Sequence, residues 1–131
     1  MTLENLKNWI KAHTAVGDGI QLGGIDGNRE RYLGVYPGKT PATQRVCLGG
    51  PETTLTDEMY ATILVHWGKS MRDAQAKAEE VYRLFYALGA CEMDGAQVYM
   101  ADPGGGPVPV GKDTRGVCEF VINLKIIYKR E

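Results

Sequence analysis

The chain has 131 residues, of which 44% are hydrophobic and 24% charged, a size and balance typical of one folded domain and unlike a disordered segment. Fifteen basic residues stand against sixteen acidic ones, for a net charge of -1, which excludes the general basic excess of proteins that hold a nucleic-acid backbone. Three cysteines without a C-x-x-C pair indicate reduced thiols, and neither a disulfide framework nor a zinc site.

The first predicted element is a helix that follows Thr2, whose side chain is placed to cap it, and that stops at Gly17 and Gly19. Its apolar stripe recurs at i, i+3, i+7 and i+10 and consists of Leu3, Leu6, Ile10 and His13. This amino-terminal stretch carries an early acid and no continuous apolar run, so we expect neither a signal peptide nor a membrane helix.

Strands are predicted next along the chain. Residues 20–22 and 32–36 flank an Asp-Gly-Asn sequence at 26–28 that favours a hairpin turn. Residues 44–48 are a weaker candidate strand. In residues 59–67 both alternating faces carry apolar or aromatic side chains, which is typical of a central strand covered on both sides.

The helical pattern that follows the central strand is the best marked in the sequence. Ser70 with Asp73 resembles a capping box, and Gly89 stands where a helix often ends. The apolar stripe of this helix consists of Ala74, Ala78, Val81, Phe85 and Leu88.

Two more alternating segments complete the predicted fold, at residues 96–100 and 117–129. The second would span roughly 40 Å at about 3.4 Å per residue, so it must either bend with its sheet or project beyond it. Residues 1–131 are therefore expected to form a single α+β domain, with a mainly antiparallel sheet of about five or six strands packed against two helices.

Two long connections, residues 37–57 and 101–116, stand out because long loops in compact domains are usually functional or disordered. The Gly- and Pro-rich part of the second, residues 102–111, is either a mobile tip or an arm that orders against a neighbouring subunit.

One motif is similar to a phosphate-binding loop. Gly34, Gly38 and Lys39 have the right order, but the motif is one residue short, and Pro41 follows at once where that loop needs a helix N-terminus. A proline-glycine turn with an exposed Lys39 is the favoured interpretation, and no cofactor is expected.

The two histidines, His13 and His66, lack partners at the spacing of a metal site or a catalytic triad. Structural roles are predicted for both: His13 ends the first helix, where a cation suits the helix dipole, and His66 lies in the central strand. Acids such as Glu92 and Asp94 are interpreted as solvated turn residues. No catalytic or metal-binding residue is expected, so the sequence does not indicate an enzyme.

Three stretches resemble phage minor capsid proteins of the tail-terminator or tail-completion type. They are LENLKNWI at residues 3–10, the strand-to-helix passage ILVHWGKS at 63–70, and FVINLKIIY at 120–128. The resemblance is one of pattern and covers most of the chain. It implies a non-enzymatic structural protein of a phage or prophage particle, present in the virion and, during assembly, in the host cytoplasm.

The resemblance further implies a homo-oligomeric ring, of six subunits, that caps the tail tube and joins it to the head. Its partners would be the tail tube protein and the head-connector protein, with no membrane and no sequence-specific nucleic acid. A neck or head-completion protein of similar size is the alternative, followed by a small adaptor that uses its sheet edge and, more remotely, a nucleotide-binding enzyme.

Ring contacts are predicted from the residues themselves, in residues 102–111 and 37–51 of the two long connections, because flexible loops that order on assembly associate strongly only when the partner surface is present. The predicted interface residues are Pro37, Gly38, Lys39, Asp102, Pro103, Gly104, Gly105, Gly106, Pro107 and Pro109.

Overall fold

The computed structural model of the protein describes residues 1–39 and 55–130. The helices of this part of the chain are α1 (Leu3–His13) and α2 (Met71–Phe85). The strands are β1 (Gly19–Leu22), β2 (Arg31–Pro37), β3 (Thr56–Trp67), β4 (Cys91–Met93), β5 (Ala96–Asp102), β6 (Val108–Lys112) and β7 (Cys118–Lys129). The predicted strand at residues 44–48 falls outside the described residues.

The seven strands form one sheet in the order β1-β2-β3-β7-β5-β4, with β6 also paired to β7. β1 and β2 are parallel, whereas the other described pairs are antiparallel. The α+β class and the central position of β3 are thereby confirmed. The sheet is mixed, however, so it is not antiparallel throughout.

The hairpin predicted around residues 26–28 is wrong. The turn itself forms, with the Arg29 N–H bonded to the Asp26 carbonyl at 3.0 Å, but the strands on either side of it run parallel. The chain doubles back at Gly23, which has a φ of 67° and donates its N–H to the Val35 carbonyl at 2.8 Å. The residues around Asp26 therefore determine only the local turn, and packing between β1 and β2 determines the direction in which these strands run.

Helix α1 begins where the sequence predicts. The Thr2 hydroxyl accepts the Asn5 N–H at 3.4 Å, and the Asn5 side chain accepts the Thr2 N–H at 2.8 Å, which makes a reciprocal capping box. The buried face consists of Leu6, Trp9 and Ile10. Trp9 extends the predicted stripe.

Helix α2 also begins as predicted, with the Ser70 hydroxyl accepting the Asp73 N–H at 3.5 Å. The predicted end at Gly89 is wrong, because the helix stops at Phe85 and the left-handed residue is Ala87, with a φ of 57°. Leu88, which follows this reversal, packs against the edge of the core.

The core lies between the two helices and one face of the sheet. The strands supply alternating residues to it: Leu33, Val35, Ala61, Ile63, Val65, Phe120, Ile122, Leu124 and Ile126. From α2, Phe85 is fully buried among them, a contribution of about 1.5–3 kcal/mol by its apolar area alone.

Strand β7 organises the sheet because it pairs on both edges. β3 follows one edge, while β5 pairs with the later half of the other edge and β6 with the earlier half. The prediction that residues 101–116 form a loop is therefore wrong over β6. A bulge at Tyr99 also shifts the alternation of β5, so that Met100, expected on the same face as Val98, is 43% exposed.

Candidate assembly surface

Beyond the core, the sheet has a second face, here called the outer face, which carries the residues that alternate with the core positions. On β3 these are Tyr60, Thr62, Leu64 and His66, and on β7 they are Glu119, Val121, Asn123 and Lys125. Of these, His66 is fully buried, and the others are half-buried or exposed.

Four of the predicted interface residues meet at one cavity on this face, here called the loop cavity. Gly38 and Lys39 come from the end of β2, and Asp102 and Gly104 come from the end of β5. The cavity has a volume of about 240 Å³, and its remaining lining residues are Tyr60, Ala61, Thr62, Asn123, Leu124 and Lys125. The fold thus brings together residues from two connections that are far apart in the sequence.

Local bonds fix both rims of the loop cavity. The Gly38 N–H bonds the Tyr60 carbonyl at 2.8 Å, and a side chain at Gly38 would place its Cβ 2.7 Å from a backbone nitrogen of β3, so only glycine fits there. On the other rim, the Asp102 carboxylate accepts the Gly104 N–H at 2.9 Å, and the Tyr82 hydroxyl of α2 donates to the Gly104 carbonyl at 3.1 Å.

The other predicted interface residues do not line the loop cavity. Pro37 ends β2 opposite Ala61, and Pro109 lies within β6 opposite Phe120. Pro103 is buried and lines a neighbouring cavity of about 390 Å³ beside α2. Gly105, Gly106 and Pro107 form the turn that leads into β6.

Sequence reasoning missed the polar side chains that floor the loop cavity. Thr62 donates to Asn123 across β3 and β7 at 3.1 Å, and Lys125 lies 3.4 Å from a carboxylate oxygen of Glu58. Strict alternation along both strands identifies these as outer-face positions. Their pairing depends on the β3–β7 register, which no local pattern encodes.

His66 occupies the opposite end of the outer face. Its Nδ1 lies 2.9 Å from Glu119 Oε2, its Nε2 lies 3.0 Å from the Arg29 carbonyl, and Asp113 Oδ2 is 3.8 Å from Nε2. A carbonyl only accepts, so Nε2 donates to Arg29, while Nδ1 lies within hydrogen-bond distance of the Glu119 carboxylate. The buried ring has both nitrogens engaged by protein atoms, which is the environment of a structural histidine.

The charges around His66 affect neighbouring groups. Burial and then the Glu119 carboxylate raise the pKa of the Tyr36 phenol. For Asp113, partial burial acts to raise the pKa, but hydrogen bonds from the backbone of Val117 and Arg115, with the nearby His66 and Arg115 charges, lower it overall. Asp113 is thus stabilised as a carboxylate.

His13 also has a defined partner. Its Nδ1 lies 2.8 Å from the Trp9 carbonyl one turn earlier, and its ring stacks on the Trp9 indole at a centroid distance of 4.2 Å. The motif similar to a phosphate-binding loop lies differently: its first glycine, Gly34, is inside β2, whereas such a loop begins after its strand.

A comparison with known protein families identifies the family of this chain. A family model described as bacteriophage tail terminator protein matches residues 16–130. The chain belongs to the bacteriophage tail terminator family. This confirms the resemblance found in the sequence, and it makes the protein a structural component of phage tails.

Other comparisons add less to the terminator assignment. A solved structure matches 98% of this chain and 89% of its own chain, at 18% identity and a TM-score of 0.47, values too low to support any argument. No curated protein matches the sequence.

Two absences hold for the described residues of this terminator. Within residues 1–39 and 55–130, no group of three or more His, Cys, Asp or Glu side chains is placed to hold a metal ion. Neither α1 nor α2 has the length and apolar character needed to cross a bilayer.

Proposed function

We propose that this chain is a minor capsid protein whose single domain, residues 1–131, assembles into a closed ring of six subunits. The ring caps the head-proximal end of the tail tube and presents a surface to the head connector. It assembles in the host cytoplasm and remains in the virion. The observation that carries this proposal is the tail-terminator match over residues 16–130.

The loop cavity is the proposed contact surface between subunits. Lys39 and Asp102 lie on the same cavity with opposite charges, and both are exposed. A contact between this surface and a different surface of the next subunit is heterologous, and heterologous contacts generate rings when the rotation closes. Charges at the rim of such a contact set its register and its rate of formation.

The test uses purified chain mixed with tail tubes and viewed by electron microscopy. The wild-type protein should cap one end of each tube with a six-fold ring. Lys39→Glu should reduce the capped fraction at limiting protein by about tenfold, because placing like charges across an interface costs at least 1.4 kcal/mol or so. Arg72→Glu is the matched control, since it reverses one charge on a 93% exposed side chain at the start of α2.

Different results would point to the alternatives. A chain that binds purified heads and never binds tubes would be a neck or head-completion protein. A single bound copy per partner would identify an adaptor. Equal capping by the Lys39 and Arg72 variants would remove the loop cavity from the interface and leave the family function intact.

A further inference from the structure

A second cavity, here called the basic cleft, lies away from the loop cavity. Three cationic side chains from separate segments line it: Arg29 from the β1–β2 connection, Lys69 from the β3–α2 connection, and Arg115 from the β6–β7 turn. Its volume is about 320 Å³, and the other lining residues are Gly27, Asn28, Glu30 and Val117. Glu30 is the acid among these lining residues.

The walls of the basic cleft are fixed by hydrogen bonds. The Asp113 carboxylate accepts the N–H groups of Arg115 and Val117, both at 2.9 Å, and so shapes the turn that presents Arg115. The opposite wall, which carries Arg29, is fixed to the protein interior, because the Arg29 carbonyl bonds the buried His66 ring at 3.0 Å. Arg115 bridges the walls by donating Nη1 to the Asn28 carbonyl at 3.4 Å. A preformed site of this kind loses less entropy when it binds.

The charges of the basic cleft are only loosely balanced. Lys69 lies 3.6 Å from Glu30, and Arg29 lies 3.6 Å from Asp26. Both cations have 63% of their side-chain surface exposed, and exposed ion pairs contribute little to stability. An incoming anion can therefore replace these contacts at small cost.

We propose that the basic cleft binds the carboxylate of an aspartate or glutamate side chain from a neighbouring protein subunit of the particle. This inference rests on the proposed structural role. The two guanidinium groups supply flat, paired donors that match the two oxygens of a carboxylate, and Lys69 adds a third positive charge.

A protein carboxylate fits this cleft better than a nucleic-acid backbone does. Glu30 and Asp26 stand among the cations and would repel a continuous row of phosphates. The whole chain carries a net charge of -1, whereas backbone binding draws on a basic excess. Complementary charges fix the register of a protein contact, which suits one acidic side chain better than a row of phosphates.

The test measures side-chain N–H signals of the arginines by NMR in the isolated, labelled chain. The probe is an end-blocked pentapeptide with three acidic side chains, and its amide counterpart is the control peptide. The acidic peptide should shift the Arg29 and Arg115 signals to saturation, and the amide peptide should not. Arg115→Gln should weaken binding about tenfold, as expected for losing a hydrogen bond to a charged group.

Lys129→Gln is the matched control variant, because this exposed cation lies at the far end of β7 from the cleft, and it should change the affinity by less than about twofold. Lys69→Gln provides a second variant that removes a cation without altering the β6–β7 turn. Absence of saturable shifts would overturn the proposal. An oligothymidylate of equal charge that shifts the same signals at lower concentration would overturn it in favour of a phosphate backbone.

The assay needs neither tubes nor rings, so its outcome is separable from the proposed function. If the peptide does not bind and the protein still caps tubes, only the proposed carboxylate site in the basic cleft is refuted. If the peptide binds and the protein does not cap tubes, the carboxylate site is supported and the proposed capping function is refuted.

Discussion

Lys77 is a cation held inside the junction between the two helices, and it allows a sharp test of the energetics. Its side chain is 7% exposed, and its Nζ lies 4.8 Å from the centroid of the Trp67 ring. The ammonium donates to the Thr14 hydroxyl at 3.0 Å and to the Glu80 carboxylate. The Thr14 hydroxyl also donates to Glu80, so the three groups form a closed network.

We expect Glu80→Gln to destabilise the protein more than Lys77→Met does. Removing the carboxylate leaves a nearly buried ammonium without its counter-charge. Removing the ammonium leaves a carboxylate whose side chain is 56% exposed and can be hydrated. Breaking a fully buried pair costs about 3–5 kcal/mol, and the exposure of Glu80 reduces the expected loss to about 1–2 kcal/mol.

For Lys77→Met the expected loss is about 0.5–1 kcal/mol. The cation–π contact with Trp67 disappears, a loss of up to about 2 kcal/mol, but the methionine buries a similar apolar length without the desolvation of a charge. The melting temperature should fall by roughly 3–5 °C for each kcal/mol in a chain of this size.

Urea and thermal unfolding of both single variants and of the double variant measure these values. The double variant should lose little beyond Lys77→Met alone, because the carboxylate has no ammonium left to compensate. A larger loss for Lys77→Met than for Glu80→Gln would refute the reasoning, since it would mean that the ammonium contributes more than its burial costs.

The same network predicts the pH dependence of stability. The hydrogen bond from Lys77, followed by that from Thr14, lowers the pKa of Glu80 below its ordinary value. The stabilisation is therefore complete above the unfolded pKa of a glutamate and is lost as the pH falls through the lower folded pKa. The stability difference between the wild type and Glu80→Gln should shrink over that acidic interval.

Two further predictions concern the loop cavity and the β4–β5 turn. Gly38→Ala should lower the free energy of unfolding in urea by about 1–3 kcal/mol, since the new Cβ would lie 2.7 Å from a backbone atom of β3. Gly105→Ala is the control, because its new Cβ meets no atom within 4 Å. Equal losses in the two variants would contradict the close-contact argument. Hydrogen bonds from Asn8 and then Asn5 lower the pKa of Asp94. The melting temperature of the wild type should therefore exceed that of Asp94→Asn at neutral pH, and this difference should disappear as the pH falls through the folded pKa. A difference that stays constant down to about pH 2 would show that these bonds do not depend on the charge.

Much of the fold was predictable because several signals agree at the same residues. In α2, the cap at Ser70 and the stripe through Phe85 indicate the same helix, and strict alternation identifies β7. Local rules failed where they compete with packing. Asp26 forms its turn without making a hairpin, and Ala87 rather than Gly89 is the residue with a left-handed backbone after the helix.

Strand β6 escaped prediction because it is short, exposed throughout, and contains Pro109 and Gly111, which are unfavourable in strands. Its pairing with β7 supplies the stability that its own sequence lacks. The loop cavity was half predictable: composition identified Lys39 and Asp102, whereas Tyr60 belongs to it only through the sheet register. The basic cleft joins three segments through tertiary contacts, so no sequence spacing could reveal it.

The pairing of β7 on both edges has a consequence for how the protein is made. The ribosome synthesises this strand after the other six described strands, yet β3, β5 and β6 all pair with it. A nascent chain therefore exposes unpaired strand edges until Cys118 and the residues after it emerge, and the long-range pairings then form late and together. A product truncated before this strand keeps the β1–β2–β3 and β4–β5 pairings but lacks the strand that joins them, so we expect proteases to remove it before it competes during assembly.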